Sequence, residues 1–319
     1  MRVSPTVVLL ALLSTGVFGQ GPDRPIIDVH LHAVTLDFVG GKPVPNPATG
    51  KMSAATTDDA LITQTLALME KHNVVLGIVS GPLGVVEKWK QAAPKRLKAA
   101  LLFTGGTTAW GGLYPGVPIR LLRPLYENGT LEALGEIAAQ YEGISMDDSI
   151  LAPYFAMAEE LDIPVGIHTG LTYPGAAYDC CPNFTIEAGH PQALEPVLKK
   201  HPRLRLYLMH AGEPFLEETI SILQMYPQVY AEVGVLDWTL PRERFYRYLR
   251  ALMTSGFGID KRVMFGSDQM VWPEAISMAI ESIETADFLN EEQKRDIFYN
   301  NAARFLKLTE EDIARHHGR

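Results

Sequence analysis

The hydrophobic pattern of the chain alternates between two periods. Short apolar runs such as Ile26–His32, Val74–Ser80 and Lys98–Phe103 are followed by stretches with apolar residues three and four apart, as in Ala60–His72. The first kind predicts buried strands, the second amphipathic helices. Five further runs, Ala133–Ala139, Pro164–His168, Leu204–His210, Val229–Val235 and Arg262–Asp268, continue the strand series. Helices are predicted near Val85–Gln91, from Pro118 through Tyr126, and at Ser149–Leu161, Pro191–Lys200, Pro214–Met225, Pro241–Thr254 and Pro273–Thr285. A last helix, Glu291–Leu306, would pack outside. Thr57-Asp58-Asp59 reads as a helix start, and proline opens several of the others. Ala33–Thr56 is a long loop rich in Pro and Gly, Gly105–Gly116 carries Trp110 and Tyr114, and a third loop runs from His168 to Gly189. Loops of this length often cover a site.

Eight strand-then-helix units demand a parallel sheet. They span roughly the ~250 residues of a (β/α)8 TIM barrel, here as a single domain over residues 20–319. The competing fold is an open doubly wound sheet. No Gly-x-Gly-x-x-Gly turn follows the first strand, which weakens a dinucleotide-binding version of it.

The polar residues that interrupt this pattern collect at strand ends. His30 and His32 close the first strand, His168 the fifth, His210 the sixth and Asp268 the eighth. Residues two apart on a strand share a face, so His30 and His32 should project together, with Val29 and Leu31 opposite. Barrel active sites lie at the C-terminal strand ends, where all five side chains can converge. Paired imidazoles on an apolar strand are most economically explained by a shared divalent metal. The remaining histidines read differently. His72 and His201 end helices, His316 and His317 lie in a polar tail, and His190 opens a helix at the mouth, where it could meet substrate.

On these residues the chain resembles the metal-dependent amidohydrolase superfamily, in its amidohydrolase-related branch. The matching pieces are Asp28-Val29-His30-Leu31-His32, His168, His210, the Gly266-Ser267-Asp268 turn and the closing Tyr299–Phe305 segment. The resemblance covers nearly all of the chain after its first residues. It implies that His30, His32, His168 and Asp268 hold a divalent ion, with His210 beside it. Zinc is the expected ion, with manganese or iron(II) as alternatives. Many two-metal relatives carry a carboxylated lysine on the fourth strand. That strand has no lysine here, but it has Glu136, which some relatives use as the bridge. A buried carboxylate needs a partner, so Glu136 is a candidate ligand, and a count of one or two ions stays open.

Composition narrows the setting. The chain has 319 residues and a formal charge of -9 without a basic stripe, which argues against nucleic acid or an anionic membrane as partner. Residues 1–19 read as an export signal, with Arg2 followed by the apolar Val7–Leu13 and cleavage before Gln20. A secreted or periplasmic protein is expected, soluble after cleavage. The two cysteines, Cys180 and Cys181, are adjacent, so they form a vicinal ring or remain thiols, and read as a loop detail. A homo-oligomer is left open.

The expected chemistry is hydrolysis of an amide, ester or lactone. A divalent ion acidifies water and polarises a carbonyl. Asp268 would carry the proton to the leaving group, and His210 would help polarise the carbonyl. The alternative is a metal-dependent non-oxidative decarboxylase of an aromatic or muconate-type acid, a lyase. Around the predicted mouth the cations are Lys42, Lys51, Lys88 and Arg242, against Asp37, Glu142, Asp147, Asp148, Asp179, Glu187, Glu213 and Asp237. An acid substrate usually meets an Arg fork, so a neutral or cationic small molecule is expected. Trp110, Tyr114, Tyr173, Tyr178, Trp238 and Trp272 are candidates to line its pocket.

Overall fold

The computed structural model describes residues 24–104 and 117–318. The export signal, Trp110 and Tyr114 lie outside the described residues. Eight parallel strands pair in sequence order to form a nearly closed barrel in one domain. They are β1 (Ile26–His32), β2 (Val74–Gly81), β3 (Leu97–Phe103), β4 (Ala133–Ile137), β5 (Val165–His168), β6 (Leu206–Met209), β7 (Val229–Glu232) and β8 (Val263–Met264). Around them run α1 (Asp58–Lys71), α2 (Leu83–Ala92), α3 (Ile119–Glu127), α4 (Ala152–Glu160), α5 (Glu195–Lys200), α6 (Leu216–Met225), the short α7 (Leu236–Thr239), α8 (Arg242–Thr254) and α9 (Ala275–Glu284).

Side chains alternate between two cores. Leu134, Val165, Ile167, Leu206, Leu208, Val229 and Ala231 face the helices. Ile27, Ile78, Ala100, Ala133, Tyr207, Met209 and Met264 fill the interior, against Tyr299, Ala302 and Phe305 from the C-terminal helices. The interior core lies below the strand ends that the polar residues occupy.

Closure between β8 and β1 is irregular. β8 is only Val263–Met264, shorter than the expected Arg262–Asp268. The chain then runs on beside β1: Val29 N donates to Phe265 O at 3.1 Å and Asp268 N to His30 O at 2.8 Å. β1 itself carries a bulge. Asp28 is level with Gly77 and Leu31 with Val79, so three steps on β1 match two on β2. This corrects the simple alternation expected of the strand. Leu31 packs outward, but Val29 joins Ile27 in the interior core, and the parity resets before His30. Asp28 pins the bulge, its Oδ1 accepting from His30 N and from Ser267 N, both at 3.0 Å.

The C-terminal segment also differs from one continuous helix. It is α10 (Glu291–Arg295), a π-helical turn at Asp296–Asn300 and α11 (Asn301–Phe305). The expected polar tail is instead α12 (Glu310–His316), opened by a Thr309–Asp312 capping box, with His316 Nδ1 3.0 Å from Tyr299 Oη.

Arg262 ends the turn that feeds β8 and is buried without a carboxylate. Its Nη1 donates to Leu223 O at 2.6 Å and to Val229 O at 3.0 Å. It therefore satisfies carbonyls that no strand or helix serves. Arg262→Met keeps the aliphatic stem and strands those carbonyls. The expected loss is about 1–3 kcal/mol of unfolding free energy in urea. An unchanged urea midpoint would show that the guanidinium is dispensable there.

Candidate metal centre

The six polar residues singled out in the sequence meet at the C-terminal end of the barrel. His30, His32, Glu136, His168, His210 and Asp268 are all buried. The bulge aims both β1 imidazoles at one point, and their Nε2 atoms are 3.1 Å apart. Asp268 Oδ1 lies 3.0 Å from His32 Nε2 and 3.6 Å from His30 Nε2. Across the barrel Glu136 Oε1 meets His168 Nδ1 at 2.7 Å and stands 3.7 Å from His210 Nε2. The other oxygen, Oε2, is 3.4 Å from His32 Nε2.

Local structure holds each group. Ser80 Oγ donates to Gly135 O at 2.6 Å and accepts from Glu136 N, so β2 positions the β4 carboxylate. Gln140 Nε2 donates to His168 O at 2.7 Å. Gln269 brackets His32, accepting from its N at 3.0 Å and donating to its O at 2.9 Å. His210 Nδ1 faces Gly234 O at 3.0 Å; a proton there leaves Nε2 to the cluster. His210 and Asp268 both sit in left-handed backbone, at φ 59° and 48°. Non-glycine residues held there cost about 1–3 kcal/mol each, a strain that functional sites concentrate.

One participant was missed in the sequence. Glu232 ends β7, fully buried, and its Oε1 is 2.9 Å from His30 Nδ1 and accepts from His210 N at 2.8 Å. Its Oε2 accepts from Gly234 N. A Cβ on Gly266 would collide with that oxygen, so glycine is required where the chain leaving β8 passes Glu232. In the sequence Glu232 lies in the middle of the expected Val229–Val235 run, so the strand-end rule that found Asp268 passed over it; β7 in fact stops at Glu232.

The electrostatics are those of a balanced buried cluster. Burial works to raise Asp268, but His30, His32 and His210 outweigh it and hold the carboxyl at about 2. Burial also opposes ionisation of Glu136, yet hydrogen bonds from His168, His210 and His30 keep it well below the usual range. Burial lowers His30, and the charges of Asp268 and Glu232 overturn that and raise it well above its ordinary value. His168 moves the other way, lowered mainly by burial.

A divalent cation fits this donor set. Three trios have ligand atoms within 4.8 Å of one another: His30–His32–Glu136, His30–His210–Asp268 and Glu136–His168–His210. Asp268 Oδ1 is buried with no hydrogen-bond partner, facing the two imidazole nitrogens. Nitrogen and carboxylate oxygen together suit zinc, manganese or iron(II).

The other histidines stand apart. His72 meets Ser277 Oγ at 2.7 Å and His201 meets Glu159 at 3.0 Å. His190 is half-buried against Phe215, with Glu218 at 3.8 Å, and does not join the cluster.

Asp237 is a second buried acid near the centre. It is 2 % exposed, and neither oxygen has a hydrogen-bond partner among the described residues. Burial, then the charges of Glu232 and Asp28, push its carboxyl well above the ordinary value. The folded state thus holds a proton that the unfolded chain releases near pH 3.9, and stability is lost as pH rises through the folded value. Asp237→Asn removes that loss. Urea unfolding should show the variant gaining on the wild type from pH 5 to pH 8. A constant difference between the two would mean that the carboxyl stays ionised throughout.

The fold resembles an uncharacterized TIM-barrel protein from Bordetella bronchiseptica, with TM-score 0.63 and 16% identity, covering 92% of this chain and 100% of that one. It resembles a probable 2-pyrone-4,6-dicarboxylic acid hydrolase from Acinetobacter baumannii, solved with citric acid bound (TM-score 0.61, 14% identity, 89% and 100% coverage). A dihydroxybenzoic acid decarboxylase from Polaromonas sp. JS666, with bound manganese and the inhibitor 2-nitroresorcinol, gives TM-score 0.60 at 15% identity, with 91% and 99% coverage. At such identities these likenesses speak for the fold. No curated protein matches the chain in sequence. The sequence model of the amidohydrolase family matches residues 27–308, from the first strand to beyond the last barrel helix, and the chain belongs to that family.

Proposed function

We propose that the protein is a metal-dependent hydrolase of a neutral or cationic small molecule, cleaving an amide, ester or lactone bond. The observation that carries this reading is the charge of the barrel mouth. Lys88 and Arg242, counted with the mouth in the sequence, lie on α2 and at the start of α8. Lys88 pairs with Asp59 at 2.7 Å. The strand-to-helix segments between β1 and α9 then contain Lys42 and Lys51, both exposed, and no arginine. Against them stand the buried Asp268 and the acids Asp37, Glu142, Asp147, Asp148, Asp179, Glu187 and Glu274, while Glu213 is paired with Arg244 of α8. Residues 105–116 contain no charged side chain, so that loop adds no cation. A carboxylate substrate would enter this field unpaired.

In this reading His30, His32, His168 and Asp268 hold the ion, with Glu136 and His210 completing the set. When bound, a divalent ion supplies a Lewis acid that polarises a substrate oxygen and acidifies water. Glu232 fixes the His30 ring through Nδ1, which leaves Nε2 free to ligate. The carboxylate of Asp268 is ionised and backbone-fixed, so it can take a proton from water and return it to the leaving group. His210 keeps its Nδ1 proton on Gly234 O and offers the Nε2 lone pair to the ion, so polarising the substrate oxygen falls to the ion. Zinc remains the proposed ion, and manganese, present in the Polaromonas neighbour, is the first alternative. Export to a secreted or periplasmic location remains part of the proposal.

Likeness in fold to a decarboxylase supports the second reading, non-oxidative decarboxylation of an aromatic acid. A panel separates the two. Metal-loaded protein is offered neutral and cationic esters, lactones and amides beside dihydroxybenzoates. Hydrolysis that a chelator abolishes and added zinc or manganese restores is the expected result. Carbon dioxide release from the acids, with every ester, lactone and amide untouched, would replace the first reading by the second.

Asp268→Asn separates ligation from proton transfer. The amide oxygen can still meet metal but cannot accept the proton. Metal per chain should hold largely, while kcat falls by about 10²–10⁴ and KM moves less. A metal-loaded Asn variant with near wild-type kcat would leave Asp268 as a ligand alone.

A further inference from the structure

The loop between β5 and α5 is tied to the centre by sulfur. Its neck is closed where Gly170 N donates to Gly189 O at 2.7 Å. A Cβ on Gly189 would fall 1.8 Å from Gly170 O, so the two strands of the neck touch backbone to backbone. Beyond the neck, Cys180 and Cys181 are joined as a disulfide. Cys181 is fully buried in a small apolar cluster with Ala138 and Tyr141, and Cys180 and Phe184 pack on its flank. Cys181 N donates to Ala176 O at 2.9 Å, which anchors the sulfur pair within the loop. Tyr141 also carries the contact inward. Its ring stands edge-on to His168 at 5.0 Å between centroids, and its hydroxyl is 3.3 Å from His168 Nε2. The outer side of the same loop exposes Leu171, Tyr173, Tyr178 and Ile186.

We propose that the Cys180–Cys181 disulfide is a redox-labile latch that seats the 169–190 loop on Tyr141 and thereby positions His168. Cys180 is half-buried whereas Cys181 is enclosed in the cluster, so a reductant approaches the pair from the Cys180 side. Opening the latch breaks the S–S bond and adds two electrons and two protons, giving two thiols. The electrons come from an external dithiol, which leaves as its own disulfide. Two polar thiols in place of one compact ring no longer fit the space against Ala138 and Tyr141, and the loop loosens. Tyr141 is a positioning residue in this scheme. The scheme rests on the reading of His168 as part of the working site, so its test includes a measurement independent of turnover.

The experiment uses the purified protein and a phosphine reductant. The phosphine takes the oxygen of one water, whose two protons go to the two sulfurs. Thiol titration should find none before reduction and two per chain afterwards, both cysteines of the sequence being accounted for. Chymotryptic cleavage at the exposed Tyr178 should accelerate roughly tenfold or more on reduction. Metal loss to a chelator should speed up and kcat for the hydrolysed substrate should fall, each by roughly tenfold, with KM moving less, because Tyr141 orients His168, one of the proposed ligands. Reoxidation should restore all of these. Cys180→Ser/Cys181→Ser should behave as the reduced protein and ignore the phosphine. Free thiols in the air-purified protein, or two released thiols with unchanged cleavage, would overturn the latch. Faster cleavage with no substrate found leaves the latch standing and removes only the hydrolase reading. Faster cleavage with unchanged metal loss and kcat overturns the link to His168.

Discussion

Three carboxylates, Glu136, Glu232 and Asp268, are buried in one space with four imidazoles. Each ion alone would lose several kcal/mol on leaving water. They are tolerated because both oxygens of Glu136 and Glu232 and Oδ1 of Asp268 meet a backbone N–H or face imidazole nitrogen, and the charges hold one another in place. The arrangement cannot be built piecemeal: His30 alone contacts Glu136, Glu232 and Asp268 from three different strand ends. This mutual compensation explains why the side chains are so tightly framed by Ser80, Gln140 and Gln269, none of which is itself a candidate ligand.

The frame depends on the seam between β1 and β8. There the barrel closes through a two-residue strand and an extended run instead of a regular ladder. Asp28 takes up the slack, binding the bulge at His30 N and the passing chain at Ser267 N. Burial raises its carboxyl to about 7, the cost of using an acid as an internal brace. The outcome is that His30, His32 and Asp268, from opposite ends of the sequence, share one edge of the barrel mouth.

Fold and site give different weight to the chemistry. The barrel resembles a decarboxylase, a probable dicarboxylic acid hydrolase and an uncharacterized protein at nearly equal TM-scores, so likeness of fold does not choose a reaction. The site does carry a preference. Its mouth is acidic and its two lysines are exposed, whereas recognition of a carboxylate calls for a buried guanidinium or ammonium. The proposed reaction therefore rests on the local field of the site and not on the scaffold.

Much of this was legible in the chain order. Short apolar runs alternating with helical periods gave the eight strands and the barrel, and four histidines and an aspartate at strand ends gave five of the six gathered residues; Glu136 stood out as the lone acid of its apolar strand. Such features are local, set by which side chains a strand can bury and where it must stop. Other features were not local. The bulge that turns Val29 inward depends on a hydrogen bond from Ser267, 239 positions away from Asp28. Glu232 reads as one more acid until barrel closure brings the end of β7 across β8 to β1 and its oxygen reaches His30. Lys88 seemed to serve the mouth until α2 paired it with Asp59, and Arg242, which opens α8, lays its guanidinium over Tyr246. The cysteine pair looked like a loop detail until folding pressed it onto Tyr141. Periodicity reports the face a residue presents, but only closure of the barrel decides which residue that face meets.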